Sequence, residues 1–200
     1  MTTKKCKGHN FLDGYYSTQR GLADYSRVHQ LDFIRLIEEA KLQEGTVVDL
    51  GCGNANFLAD LKKLFPNMKV YGVDKVQYES RLSEDELIQA DISRGVKCLD
   101  SEIADLVVST TLVQWLPADS VDPFYVEVNR LMKKEGRGIV FPLASKEVSE
   151  ERGRYFVNGL EFERPVNIRK IKLPETLDGK LASAYQVLFG DFSGFLDLHN

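Results

Sequence analysis

The 200-residue sequence has no stretch approaching the roughly 18 consecutive apolar residues that a membrane-spanning helix needs. Its start, Met1-Thr-Thr-Lys-Lys-Cys-Lys, lacks the apolar run of a secretion signal. Cysteine is scarce: Cys6, Cys52 and Cys98 form no C-x-x-C pair and no even-numbered framework. That usage argues against disulfides and against a cysteine zinc cluster, and the expectation is a cytoplasmic protein without a structural metal. An extended basic field is also missing. The net charge is −4, and only Lys4, Lys5 and Lys7 approach a basic tail, which reads as a solvated end. Nucleic acid and membrane surfaces are therefore disfavoured as partners. No repeat, low-complexity tract or linker divides the chain, and 43% hydrophobic with 28% charged residues suits one globular domain over 1–200.

Present instead is an alternation of short apolar runs with amphipathic segments. Residues 1–20, with Gly14, Tyr15 and Tyr16 breaking any period, read as a loop-rich lead-in. Val28, Leu31, Ile34 and Ile37 then recur at helical spacing up to Ala40, which predicts one helix. Strands are expected at 46–50, 69–73, 87–90, 105–109 and 138–143. Helices are expected around Phe57 to Leu64, stopped by Pro66, and over 121–134. The link from Asp74 to Leu87 leaves room for only a turn or two of helix. Past the fifth strand the chain is rich in charge from Lys146 to Arg154, the pattern of a short connection. Residues 166–173 alternate apolar with polar, 184–189 are strand-like, and Asp178-Gly179 between them signals a turn. The fold class is α/β, a doubly wound, mostly parallel sheet with a C-terminal antiparallel hairpin. Its cofactor-binding core would span 45–143, with a lead-in and helix over 1–40 and a substrate-side segment over 144–200.

The stretch Val47-Val-Asp-Leu-Gly-Cys-Gly-Asn-Ala-Asn-Phe57 runs from a strand through small residues into a helix. Glycines there let a backbone approach a ligand, and the helix start presents free N–H groups. A ligand-free tight turn has the same local pattern. A dinucleotide site would want G-x-G-x-x-G, and Asn56 stands where its third glycine would be. Asp49, two residues before the first glycine, suits a cationic ligand and not a pyrophosphate.

This turn resembles the first motif of the class I S-adenosylmethionine-dependent methyltransferases, an acidic residue followed by G-x-G-x-G, and the resemblance extends over about 45–143. Tyr71-Gly-Val-Asp74 is similar to the second-strand end that holds the cofactor's ribose. Gln89-Ala-Asp-Ile92 resembles the motif near the adenine, and Ala104 to Leu116 the fourth motif. The resemblance implies a Rossmann-like fold and S-adenosylmethionine as cofactor. It assigns cofactor binding to Asp49, Gly51, Cys52, Gly53, Asp74, Lys75, Asp91, Ile92 and Ser109. Ala55 departs from the pattern by replacing the third glycine, a change that is mild at negative φ and strained at positive φ.

Methyl transfer is an in-line displacement, so specificity lies outside these motifs. The fourth strand ends in Ser-Thr-Thr, not the N/D-P-P-Y/F/W run of nucleic-acid amine methylases, and no Pro-Cys nucleophile follows. No histidine falls within the fourth motif, though His9 or His29 could reach the site if the lead-in folds over it. Leu112-Val-Gln-Trp-Leu-Pro117 resembles a segment of small-carboxylate methyltransferases, such as the trans-aconitate and malonyl-thioester enzymes. A carboxylate needs no base, and the expected acceptor is a small molecule of that kind. An rRNA or protein acceptor and a non-catalytic binding subunit stand as alternatives. Tyr15 and Tyr16 are expected to cover the methyl end, with Gln114 and Trp115 facing the acceptor.

Overall fold

Strands that are buried on both faces should be apolar throughout, and β1 (Thr46–Leu50) is buried at all five positions. The computed structural model describes residues 20–142, 148–151, 154–157, 160–162, 164–172, 183–192 and 195. In it β1 pairs in parallel with β2 (Lys69–Asp74) and with β4 (Ala104–Thr110). β3 (Leu87–Gln89) adds outside β2, and β5 (Met132–Phe141) outside β4. The hairpin strands β9 (Val166–Lys172) and β10 (Ser183–Phe189) complete a seven-stranded sheet of order β3-β2-β1-β4-β5-β10-β9. β10 runs antiparallel to both β5 and β9. The sheet is thus the doubly wound one with a C-terminal antiparallel hairpin that the sequence predicts. The Asp178-Gly179 turn lies outside the described residues.

Among the described residues, four helices cover the sheet: α1 (Leu22–His29), α2 (Phe33–Glu39), α3 (Asn56–Leu64) and α4 (Ala118–Leu131). On one face Phe33, Ile37, Phe57 and Leu61 pack on Val47, Leu106, Ile139 and Leu188. On the other, Phe124, Val128 and Leu131 pack on Val48, Val107 and Val140. Burying an aliphatic or aromatic side chain of this size contributes about 1.5–3 kcal/mol, so these two layers hold the strand ends that carry the site.

Three local readings need correction. The single helix expected up to Ala40 is two, because Gln30 turns left-handed (φ 48°) and the Asp32 carboxylate accepts from Arg35 N to start α2. The helix expected to reach residue 134 ends at Leu131, and Met132 is already extended (φ −71°, ψ 132°). The charge-rich connection holds a small antiparallel sheet, β6 (Val148–Glu151), β7 (Arg154–Val157) and β8 (Leu160–Phe162). Strands of three or four residues give too short an alternation to read beneath the charges. The short β2–β3 link holds one 3-10 turn, Glu84–Glu86.

Candidate cofactor and acceptor site

The carboxyl ends of β1, β2 and β4 open into one cleft of about 430 Å³, lined by the glycine turn, Asp74, Asp91 and the residues that follow β4. Its size falls within the roughly 300–1,000 Å³ of small-ligand sites. Gly51 (φ 80°) and Gly53 (φ 56°) both take the left-handed backbone that the turn requires. A side chain on Gly51 would meet Leu112 at 3.0 Å, so the turn and the β4 loop are closely matched. Gly51 N and Cys52 N both donate to Val73 O, at 2.8 and 3.2 Å, which ties the turn to β2.

Asp74 closes that tie. Its carboxylate accepts from Gly53 N at 2.9 Å and from Val76 N at 3.0 Å, yet the residue still lines the cleft. A second recess of about 290 Å³ shares Asp74, Gly53 and Tyr78 with the main cleft. Asp91 accepts from Ser93 Oγ at 2.6 Å and faces Lys75 Nζ at 3.4 Å. The Ser93 hydrogen bond comes first among the causes that hold its carboxyl below the usual range, despite partial desolvation. Lys75 is 77% exposed at its side chain, so the pair adds little stability.

Ala55 has φ 57° and ψ 28° and no exposed surface, so its left-handed backbone is strained. Its methyl lies 3.3 Å from where a side chain on Gly72 would sit. A β-branched residue cannot adopt that conformation comfortably, nor fit the space. Ala55→Val is expected to destabilise the fold by about 3 kcal/mol, combining backbone strain with overpacking. Denaturant unfolding checks this, and a loss below about 1 kcal/mol would contradict it.

Asp49 is fully buried beneath the turn. Tyr25 donates its hydroxyl to Asp49 Oδ2 at 2.7 Å, while Oδ1 has no hydrogen-bond partner among the described residues. Burial is the first cause raising its pKa to about 7, against the lowering effects of Tyr25 and Arg20. Tyr25 itself lines the cleft and stacks on Phe57, with ring centroids 4.1 Å apart and planes within 5°. Asp49, assigned to the cofactor from sequence, is therefore not part of the cleft lining and lies behind Tyr25.

Beyond β1, the wall is made by residues after β4 and before α1. Arg20 donates to Thr111 Oγ1 at 2.7 Å and to Thr110 O at 3.4 Å. Thr110, Thr111, Leu112, Trp115 and Pro117 line the cleft, with Trp115 67% exposed at its rim. Of the residues assigned from sequence, Gly51, Cys52, Gly53, Asp74, Lys75, Asp91, Ile92 and Trp115 line it. Ser109 is fully buried and donates to Leu50 O at 2.9 Å, binding β4 to β1, while Gln114 is exposed outside the lining set. Tyr15 and Tyr16 lie outside the described residues. Sequence reasoning missed Arg20, Tyr25, Tyr78, Thr110 and Thr111. The only signal for Tyr25 was its i, i+4 spacing with His29, which puts both rings on one face of α1.

The model of a family described as "Methyltransferase domain" matches residues 48–140. Solved structures share the fold. A protein from Pyrococcus horikoshii OT3 superposes with a TM-score of 0.55 at 16% identity, over 91% of this chain and 97% of that one. The 1,6-didemethyltoxoflavin-N1-methyltransferase of Burkholderia thailandensis gives 0.53 at 13% identity, over 91% and 86%. A TehB-like S-adenosylmethionine-dependent methyltransferase from Corynebacterium glutamicum gives 0.51 at 19%, over 78% and 85%. No curated protein matches the chain.

The sheet order, the acidic glycine turn and the second-strand carboxylate define a methyl-transferring enzyme of the Rossmann-like type. Residues 48–140 match the methyltransferase-domain family, which supports placement in the class I S-adenosylmethionine-dependent methyltransferase superfamily. Its residues fit that cofactor. Asp49 has one buried oxygen unpartnered under the turn, which would favour a cation there, and Asp74 has lone pairs left to accept from hydroxyls. Among the described residues, no group of three ligating side chains could hold a metal ion, and no helix is long and apolar enough to cross a membrane.

Proposed function

We propose that the methyl acceptor is a small molecule that presents a carboxylate beside Arg20, Thr110 and Thr111. The supporting observation is the chemistry of that wall. It carries the Arg20 guanidinium and the Thr110 and Thr111 hydroxyls, that of Thr111 donated to Thr110 O at 2.6 Å, and none of its described side chains is set to take a proton. His29, behind Thr110, is held down to about 3 by burial and by Arg20 and Arg169, so it is a poor base near neutrality. Asp49 is sealed behind Tyr25.

S-adenosylmethionine supplies a methyl group on a positively charged sulfur. Attack by an ionised carboxylate oxygen forms a carbon–oxygen bond as the carbon–sulfur bond breaks, leaving a neutral ester and a thioether with no proton to place. The protein's part is then to orient the oxygen and exclude water. On this reading Asp49, Gly51, Cys52, Gly53, Asp74, Lys75, Asp91 and Ile92 hold the cofactor. Trp115 and Arg20 flank the acceptor, and Tyr15 and Tyr16 are candidates to cover it. The Burkholderia enzyme is described with bound 1,6-didemethyltoxoflavin, so the fold accommodates an acceptor of that size in a relative.

The test is transfer of labelled methyl from S-adenosylmethionine to a panel of di- and tricarboxylates including trans-aconitate, a malonyl thioester, amines and ribosomal RNA. The expected product is a carboxylate ester that releases its label in mild alkali. Label that resists alkali, or that travels with RNA, would contradict the proposal.

A further inference from the structure

His29 is completely buried at the end of α1, and its two ring nitrogens meet side chains from two different strands. Gln186 Nε2, on β10, lies 2.6 Å from His29 Nδ1. Thr110 Oγ1, at the end of β4, lies 2.7 Å from His29 Nε2. Gln186 has no exposed surface and Thr110 is 1% exposed, so water does not compete along the chain. A satisfied core histidine that only fastens α1 to the sheet would show the same two contacts. What distinguishes this one is its third member, because Thr110 lines the cleft, across β1 from Asp74 and Asp91.

The hydrogen-bond directions follow from the donor inventory. An amide N–H2 facing Nδ1 makes that nitrogen an acceptor, which leaves the ring proton on Nε2 to be donated to Thr110 Oγ1. The opposite amide orientation would bury an N–H2 group without an acceptor. The present one leaves only the Gln186 carbonyl oxygen without a partner, which is the less costly orphan. Having accepted from the ring, Thr110 must donate its own proton elsewhere, and among the described residues no protein atom receives it. Burial, with Arg20 and Arg169 adding to it, keeps the imidazole neutral, so the arrangement does not change across the physiological pH range.

We propose that Gln186 and His29 are positioning residues that hold the Thr110 hydroxyl as a one-way hydrogen-bond donor to the acceptor. The hydroxyl holds the carboxylate oxygen that does not attack, leaving the other aligned with the methyl carbon. The ligand class rests on the carboxylate reading above, whereas the relay's direction does not.

The experiment combines imidazole 15N NMR with malonate titration of the S-adenosylhomocysteine complex. The chain has three histidines, so the spectrum of His29→Asn assigns the buried one. Wild type is expected to show a proton on Nε2 alone from about pH 5 to about 8, and Gln186→Leu a mixture of tautomers. Malonate should bind the wild-type complex, and Thr110→Val and Gln186→Leu should each weaken it at least about tenfold. The double variant should lose less than the product of the two, Thr110→Ser should recover binding, and S-adenosylhomocysteine affinity should stay within about twofold. A His29 proton on Nδ1 in wild type would overturn the relay. Malonate bound equally by wild type and Thr110→Val would overturn the donor role. Failure of malonate to bind wild type, with the proton on Nε2, would overturn the carboxylate half and the reading beneath it.

Discussion

Asp74→Ala is expected to weaken S-adenosylmethionine binding at least about 100-fold, since a charged acceptor's hydrogen bonds are worth about 1.5–3 kcal/mol each. The side chain has two tasks in the structure. It accepts from Gly53 N and Val76 N, fixing the glycine turn against β2, and it lines the cleft with lone pairs to spare. Alanine removes both the ligand contact and the restraint on the turn. Asp74→Asn keeps one acceptor oxygen for the turn, so it should fall between wild type and alanine. Calorimetric titration of the three proteins, each shown folded by its thermal transition, measures this. Equal affinities would remove Asp74 from the site.

Cofactor affinity is expected to rise about tenfold from about pH 6 to about pH 8, tracking ionisation of Asp49. The sign follows from the raised pKa. In the ligand-free protein, burial favours the neutral carboxyl, so the stability it confers is full below the ordinary value of 3.8 and is lost as pH rises through about 7. A cationic ligand favours the ionised form, so it binds better where Asp49 has already lost its proton. Thermal stability without ligand should therefore decline from about pH 4 to about pH 7, while the stabilisation by S-adenosylmethionine grows from about pH 6 to about pH 8. Asp49→Asn should flatten both profiles. Tyr25→Phe removes the hydrogen bond that lowers the Asp49 pKa, so the midpoint should move upward. Profiles that ignore both substitutions would show that Asp49 does not sense the ligand.

The parallel strands were legible because a strand covered on both faces must be apolar at nearly every position, as Val47, Val48 and Leu50 are. The glycine turn and Asp74 were legible because their chemistry is written in adjacent residues. What escaped depends on contacts remote in sequence. Thr110 gains its role from His29, 81 positions away, and His29 from Gln186, 157 positions away. A buried histidine and a solvated one look alike in a sequence. The split between α1 and α2 was hidden because the apolar period runs on through Val28 and Leu31 while the backbone turns at Gln30. Ala55 could be posed as a question of φ sign, and only the backbone answered it.

Thermal shift with S-adenosylmethionine and, separately, with NAD tests the central claim most directly, because a ligand that binds only the native state raises its transition in proportion to ligand excess over Kd. The acidic glycine turn of Asp49, Gly51 and Gly53, backed by Asp74, predicts a concentration-dependent rise with S-adenosylmethionine and none with NAD. A rise with NAD and none with S-adenosylmethionine would contradict it.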